Sequence, residues 1–213
     1  MKGTTHLAIG TAIGAAAAAH YPFSPKSTAL YLAVSAFSAL SADLDGPSML
    51  SSKIGKVSGV IRGLLLWSGV ITLAILGYQY FTLNVFYPEY TAASGALFML
   101  GLLTREGIIR NFLVSLIGGA LIYGALVWQL AWLGGLGLFI AIAPWLKHRG
   151  MTHTVWAVIL WGAIGRGLEQ QLQLPGIMTT ATLGYLSHLL ADTLTPSGVK
   201  WLYPLYKKPF KLS

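Results

Sequence analysis

The chain alternates long apolar runs with short polar islands. Residues 64–83 form the clearest run and end in an aromatic-rich segment of the kind found at membrane interfaces. A shorter run at 91–104 and a closely spaced pair at 112–128 and 132–146 follow it. About 20 apolar residues in a helix cross a hydrocarbon core of about 30 Å. These four runs therefore predict four transmembrane helices.

Four further apolar segments are shorter and lie at 6–19, 28–42, 154–165 and 177–191. At about 1.5 Å per residue they reach only about 18 to 22 Å, so we expect partial spans or a helical layer packed on the others. Gly10 and Gly14 in the first segment are four residues apart, a spacing that lets another helix approach closely. The pattern predicts an all-α, polytopic membrane protein with one domain over residues 1–213.

The composition supports this interpretation. The chain is 55% hydrophobic and 9% charged, with a mean hydropathy of +0.67, whereas a soluble domain carries about 25% charged residues. It contains no cysteine, which excludes disulfides and thiolate metal ligands. Any metal ion must be held by nitrogen and oxygen atoms.

The net charge of +8 is spread over short clusters between the apolar runs. This distribution follows the positive-inside rule and does not indicate a nucleic-acid surface. We expect the basic loops and both termini to be cytoplasmic, the bilayer to be the main partner, and no cleaved signal peptide to be present. The basic residues concerned are Lys53, Lys56, Arg62, Arg105, Arg110, Lys147, Arg149, Lys200, Lys207, Lys208 and Lys211.

The polar islands contain all three aspartates and four of the five histidines. Ionisable groups in or beside lipid are costly, so they indicate a functional site. If the shorter segments form hairpins, every one of these residues reaches the same membrane face. The seven candidate metal ligands are His6, Asp43, Asp45, His148, His153, His188 and Asp192.

His188 and Asp192 stand four residues apart, which places both side chains on one helical face. The pair can chelate one ion. The alternative is a His–Asp hydrogen bond that stabilises a buried turn.

Asp43 and Asp45 follow an apolar helix and precede Gly46-Pro47, so their carboxylates can converge on a cation in a turn. Like charges this close repel unless a cation neutralises them. A solvated loop at the membrane surface is the alternative.

His148 and His153 would lie about 140° apart on a helix, so the segment between them is predicted to be a loop. Gly150 permits a tight turn, Thr152 is a suitable cap for the next helix, and Arg149 offers a fork suited to phosphate. The alternative is an ordinary basic loop on the cytoplasmic side.

The sequence resembles the YdjM family of bacterial inner-membrane metal-dependent hydrolases, which is distantly similar to zinc-dependent phospholipase C and P1 nuclease. The resemblance lies in Thr5-His6, in D-L-D at 43–45, in H-R-G-M-T-H at 148–153 and in GYLSHLLADTLTPSGVKWLYP at 184–204. It implies a bacterial inner-membrane location, a phospholipase C-like metal site on an all-α fold, and the seven residues above as ligands of zinc or a similar ion. Ala42 and Gly46 depart from the proline and the polar residue or histidine that often flank D-x-D in the family.

Seven ligands exceed what one tetrahedral ion uses, so the sequence favours two ions that share Asp43 or Asp45. Together with Arg149, these aspartates are the predicted catalytic residues. Arg149, with Thr152 or Thr195, is expected to hold a phosphate oxygen. The expected reaction is hydrolysis of a phosphoester in a lipid or lipid-linked substrate at the cytoplasmic face.

Two other classes of function use the same residues differently. A metal-ion transporter or sensor binds ions without catalysis and predicts ligands at mid-depth in the membrane, with Lys and Arg disfavoured beside them. A scaffold for other membrane proteins predicts no loss of function when Asp43 or His188 is replaced.

Overall fold

The computed structural model describes residues 1–212 and divides into two compact units. The first comprises Met1–Leu50 and the chain from Val114 onward, and the second is Ser51–Leu113. The predicted all-α fold is confirmed for these residues, where the only β pairing is an isolated bridge between Val199 and Phe210. The helices are α1 Gly3–His20, α2 Pro25–Ser41, α3 Ser52–Leu83, α4 Pro88–Leu103, α5 Glu106–Trp128, α6 Ala131–Ile142, α7 Val155–Leu172 and α8 Ile177–Thr193. The prediction of a single domain over residues 1–213 stays a prediction.

Three helices in the described chain, and not the predicted four, are long and apolar enough to cross a membrane: Pro25–Asp45, Ser52–Leu83 and Glu106–Trp128. The predicted spans at 91–104 and 132–146 are too short. Helix α4 has 16 residues between Pro88 and the extended Thr104, about 24 Å of helix. Helix α6 has 12 residues and tightens into a 3₁₀ turn, Ala143–Trp145, that contains Pro144.

The segment predicted as short at 28–42 is instead part of the 21-residue span Pro25–Asp45. Its serines make the sequence look less apolar than a membrane helix. However, the hydroxyls of Ser38 and Ser41 donate to the carbonyls of Val34 and Phe37 one turn earlier, so they are satisfied within the helix. The prediction was too short because it left out the first residues of α2 and the 3₁₀ turn that carries Asp43 and Asp45.

In the first unit, α1 and α2 pack antiparallel through the two glycines that the sequence singled out. A Cβ atom on Gly10 would lie 2.6 Å from the Cβ of Ala39, and one on Gly14 would lie 2.7 Å from the Cα of Leu32. Only glycine allows the two backbones to approach this closely. The contact sets the start of α1 beside the end of α2.

The centre of the first unit holds α8 against α2, α6 and α7. The ring of Tyr185 lies 4.9 Å from that of Trp161 and 6.1 Å from that of Phe139. The indole N–H of Trp161 donates to the hydroxyl of Ser38 at 2.8 Å. Buried aromatic packing of this kind, with its polar atom satisfied, fixes the position of α8 relative to α2.

The second unit contains an antiparallel hairpin of α3 and α4. A Cβ atom on Gly69 would lie 2.5 Å from the backbone nitrogen of Phe98, and one on Gly101 would lie 2.3 Å from that of Leu66. Only Ser58 and Gly69 of α3 are buried, and many of its exposed side chains are large and apolar, among them Leu64, Trp67 and Ile71. This is the surface expected of a helix whose solvent is lipid.

Replacing Gly14 with Val should destabilise the first unit, because the new Cβ would meet the backbone of α2. Overpacking of this kind costs about 1 to 3 kcal/mol. The measurement is the midpoint of thermal unfolding in detergent. Ala15→Val is the control, since Ala15 is exposed on the same helix and both changes introduce the same β-branched side chain. Equal midpoints for the two variants would contradict the packing role of Gly14.

Candidate metal centre

The seven predicted ligands arrive from four elements of the first unit. His6 lies in the first turns of α1, and Asp43 and Asp45 lie in the 3₁₀ turn Ala42–Asp45 that continues α2. His148 and His153 stand in the predicted loop before α7, whose end is the 3₁₀ turn Met151–His153. The last two turns of α8 supply His188 and Asp192. The structure brings all seven together in three overlapping trios: His6, Asp43 and His188; His153, His188 and Asp192; Asp43, Asp45 and His148.

Four side chains at the centre face one another at distances typical of shared metal ligands. The Nε2 atom of His153 lies 3.7 Å from Oδ1 of Asp43 and 3.8 Å from Oδ2 of Asp192. The Nε2 atom of His188 lies 3.5 Å and 3.9 Å from the same two oxygens. Two ligands at 2.0 to 2.1 Å from a tetrahedral zinc ion are about 3.3 Å apart. Each of these four imidazole–carboxylate distances is therefore within a few tenths of an ångström of the separation that two ligands of one ion have.

Hydrogen bonds at Nδ1 fix how both central imidazoles are protonated. Nδ1–H of His188 donates to the carbonyl of Ala39 at 2.7 Å. The hydroxyl of Thr152 donates to Asp45 at 2.6 Å and accepts from Nδ1–H of His153 at 2.9 Å. Each ring consequently presents the lone pair of Nε2 to the centre, which is the arrangement used by metal-binding histidines.

These lone pairs have no partner within the described chain. Nε2 of His153 and Nε2 of His188 are buried and make no hydrogen bond, and both side chains are 0% exposed. Buried polar atoms are almost always paired. The residues present therefore fit a divalent ion bound between them. The alternative in which His188 and Asp192 form a simple hydrogen bond is wrong, because their 3.9 Å separation is too long for one.

The two aspartates of the D-L-D motif have different surroundings. Asp45 has a fully buried side chain that accepts hydrogen bonds from Nδ1 of His148, the backbone N–H of Arg149 and the hydroxyl of Thr152. Asp43 instead faces His153 and His188, and its side chain is 22% exposed. Asp45 thus holds the 148–153 loop in place through hydrogen bonds. Asp43 is the carboxylate of the centre that solvent can reach. That Asp45 itself binds metal stays a prediction.

The loop before α7 differs in detail from the sequence expectation. The left-handed residue is Arg149, with φ of 57°, and not Gly150. Gly150 is needed for space, because a Cβ there would lie 2.6 Å from the carbonyl oxygen of Lys147. The cap of α7 is Thr154, whose hydroxyl accepts from the N–H of Ala157. Thr152, predicted as that cap, links Asp45 to His153 instead.

Arg149 reaches the centre from this strained position. Its Nη2 atom lies 2.9 Å from Oδ2 of Asp192, and its Nη1 atom is buried without a hydrogen bond. One side of the guanidinium therefore holds a ligand carboxylate, and the other side has a donor available for an anion. The predicted anion contact of Thr195 is less favourable, since its hydroxyl donates to the backbone carbonyl of Asp192.

His6 extends the centre on one side. Its ring stacks on that of His188 at 3.7 Å, and its Nε2 atom lies 3.4 Å from Oδ1 of Asp192. Neither of its ring nitrogens has a hydrogen-bond partner within the described chain, although the residue is buried. The trio of His6, Asp43 and His188 is consequently a second candidate position for an ion, and it shares the Nε2 lone pair of His188 with the trio of His153, His188 and Asp192.

Charges in the centre are strongly coupled. Burial alone would raise the pKa of the Asp192 carboxyl, but the close imidazole of His6, the hydrogen bond from the terminal ammonium of Met1, and the charges of His188 and Arg149 hold its pKa below the ordinary value. The hydrogen bond to Asp45 raises the pKa of His148 against the opposing effect of burial. The aspartate carboxylates of the centre lie close enough to repel one another unless positive charge is nearby. A divalent cation would supply that positive charge.

Sequence reasoning missed the residues that orient the ligands. Tyr185 donates from its hydroxyl to the backbone carbonyl of Thr152 at 2.6 Å, and the carbonyl of Ala39 orients His188. The spacing of Tyr185, three residues before His188 on α8, was the one available signal. A backbone carbonyl has no signature in a sequence.

The fold and the centre define a helical membrane protein with a candidate His/Asp metal site. The YdjM inner membrane protein family matches residues 1–213, and the chain belongs to this family of inner-membrane proteins. The predicted family and inner-membrane location are confirmed.

Two curated relatives are similar to part of the chain. The proteins named inner membrane protein YdjM in Escherichia coli (strain K12) and in Shigella flexneri are each 42% identical to it over 65 residues. This match covers 30% of the chain and spans about a third, 33%, of the length of each relative. No solved structure matches the chain. The expected similarity to zinc-dependent phospholipase C and P1 nuclease finds no support in these comparisons.

Replacing Thr152 with Val should weaken zinc binding by about 10- to 100-fold, the usual effect of losing a group that orients a metal ligand. The change keeps the shape of the side chain but removes the hydroxyl between Asp45 and His153. Affinity is measured by competition with a chromogenic chelator in detergent. Thr182→Val is the control, because Thr182 is exposed on α8 and bonds only to the Met178 carbonyl one turn earlier. Unchanged zinc affinity in the Thr152 variant would contradict this role.

Replacing His188 with Ala should abolish stoichiometric binding of zinc, whereas His20→Ala should leave it intact. His20 is exposed at the far end of α1, about 20 Å along the helix from His6. Binding by the wild type should also weaken in acid, because protons compete with the metal for the ligand atoms. Metal content after desalting and calorimetric titration at several pH values test both expectations. Equal zinc content in the two variants would contradict the site.

Proposed function

We propose that this protein is a metal-dependent hydrolase that cleaves a phosphoester of a lipid or lipid-linked substrate at the cytoplasmic membrane face. The observation that carries the proposal is the pair of unpartnered Nε2 atoms of His153 and His188, which face the carboxylates of Asp43 and Asp192. The family resemblance and the location of the ligands at helix ends support it.

The donor set favours zinc or a similar divalent ion. His153, His188 and Asp192 would hold one ion, and a second ion would have to use the remaining donors His6 and Asp43, because the single Nε2 lone pair of His188 serves one ion only. Nitrogen and carboxylate donors without thiolate are also typical of catalytic sites, which keep a position open for water or substrate. A divalent ion bound there supplies an acidified water molecule and withdraws charge from a phosphoryl oxygen.

The chain's own residues then have distinct roles. Asp43 lies at the exposed edge of the centre and is placed to meet an entering substrate. Arg149 offers its unpaired Nη1 to a phosphate oxygen, a contact that strengthens as negative charge develops there. Asp45 acts as a positioning residue, since three donors already engage its carboxylate.

A metal-ion transporter or sensor is the second candidate function. It predicts ligands at mid-depth and no cationic side chain beside them. The ligands lie at the start of α1 and at the ends of α2 and α8, and Arg149 contacts Asp192 directly. Both observations favour an anionic substrate over a transported cation.

A scaffold that only assembles other proteins gives no reason for this centre. Burying unpaired imidazole nitrogens and carboxylates costs free energy. A purely structural protein would gain stability from apolar residues at these positions.

Replacing Arg149 with Met should lower kcat/KM for phosphoester hydrolysis by about 100-fold, the typical effect of removing one donor to the developing charge. Zinc content should be retained. The assay uses detergent-purified, zinc-loaded protein with phosphomonoester and phosphodiester lipids. Arg166→Met is the matched control. Arg166 is exposed on α7 and lies about three helical turns from the start of that helix, which is the end near the candidate site.

Asp192→Ala completes this test, because it removes a ligand carboxylate from the centre. Its expected result is loss of both zinc and hydrolysis. Zinc-free wild-type protein, or hydrolysis that is unaltered in Asp192→Ala, would overturn the assignment as a metal-dependent hydrolase. Stoichiometric zinc without hydrolysis of either lipid class would favour the transporter or sensor.

A further inference from the structure

An apolar groove of about 230 Å³ runs between α6 and α7 in the first unit. We call it the α6–α7 groove. Its walls are mainly aliphatic and aromatic side chains, with one threonine among them; they include Leu138, Ile142, Leu146, Trp156, Leu160 and Thr152.

The α6–α7 groove shares one lining residue with the surroundings of the candidate metal centre. Thr152, which lines the groove, is the residue whose hydroxyl bonds Asp45 and His153 at 2.6 Å and 2.9 Å. The next residue along the chain, His153, presents its Nε2 atom to Asp43 and Asp192. A molecule that contacts Thr152 in the groove therefore lies next to the residue that precedes the candidate ligand His153.

The other side of the groove opens outward through exposed apolar side chains. Leu138 is 53% exposed, Leu160 is 43% exposed and Trp156 is 42% exposed. In an inner-membrane protein, such surfaces on apolar helices face lipid hydrocarbon. Hydrocarbon enters this groove without desolvating any polar group, whereas a polar ligand would leave its own groups unpaired there.

We propose that the α6–α7 groove seats one hydrocarbon chain of a lipid phosphate, so that its phosphoester lies at the metal centre. This inference rests on the proposed function. It specifies that the substrate is a lipid whose long hydrocarbon chain is attached close to the phosphate. The bilayer around the protein is as apolar as the groove walls, so moving the hydrocarbon chain into the groove adds little binding affinity for the substrate. The contribution of the groove is orientation of the phosphoester, which acts on the rate of the chemical step.

A photoreactive hexadecyl phosphate with a diazirine on its chain tests the groove without requiring turnover. Labelling of the purified protein in lipid nanodiscs should concentrate on peptides from α6 and the start of α7. Leu160→Trp, which fills the groove, should reduce that labelling by about fivefold or more. Ile159→Trp is the matched control: Ile159 is the neighbouring residue, is 60% exposed and does not line the groove. Labelling spread evenly over exposed apolar helices, and equal in both variants, would show annular lipid only and overturn the proposal.

A second measurement compares two substrates of the zinc-loaded protein. Leu160→Trp should reduce hydrolysis of a hexadecyl-chain phosphoester about tenfold, while hydrolysis of water-soluble p-nitrophenyl phosphate stays at the wild-type rate. If Leu160→Trp lowered the hydrolysis of both substrates equally, or left both rates unchanged, the proposed role of the groove would be wrong. If no variant or wild type hydrolyses either substrate, the proposed function fails, and the labelling pattern still decides whether the groove holds a hydrocarbon chain.

Discussion

The hydroxyl of Thr152 joins two parts of the chain that are about a hundred residues apart. It donates to Asp45 at the end of α2 and accepts from His153 before α7. Because the hydroxyl has a single proton, this order of donation also decides which nitrogen of His153 faces the centre. The other groups that fix the loop, the backbone N–H of Arg149 and the ring of His148, converge on the same carboxylate. The geometry of the metal centre depends on that one buried aspartate and its three donors.

The sequence was sufficient to predict which residues meet, because the cost of polar groups near lipid leaves few explanations for clustered histidines and aspartates. His188 and Asp192 were predicted on one face of a helix, and His148 and His153 in a loop, as the structure has them. The division of roles between Asp43 and Asp45 was not predictable. Two carboxylates separated by one residue look alike in a sequence, and only the position of the 148–153 loop distinguishes them.

The fold was predictable in class and less so in its membrane spans. Segment bounds drawn at polar residues made α2 look short, because Lys26 at one end and Asp43 and Asp45 at the other belong to the helical span Pro25–Asp45. Average hydropathy favoured the predicted spans at 91–104 and 132–146, whose apolar runs are bounded by residues that end a helix early. Glycine spacing was the more reliable guide to packing, because close helix approach has a strict steric requirement.

The order of the ligands along the chain has a consequence for how the protein matures. His6, Asp43 and Asp45 are made first, His148 and His153 follow after residues 52–128 have been synthesised, and His188 and Asp192 come last. The two trios that contain His188 lack a donor until α8 has been synthesised, whereas Asp43, Asp45 and His148 all precede α7. An ion held by either trio that contains His188 would be captured only after α8 has packed beside α2, so its uptake would report late assembly of the first unit.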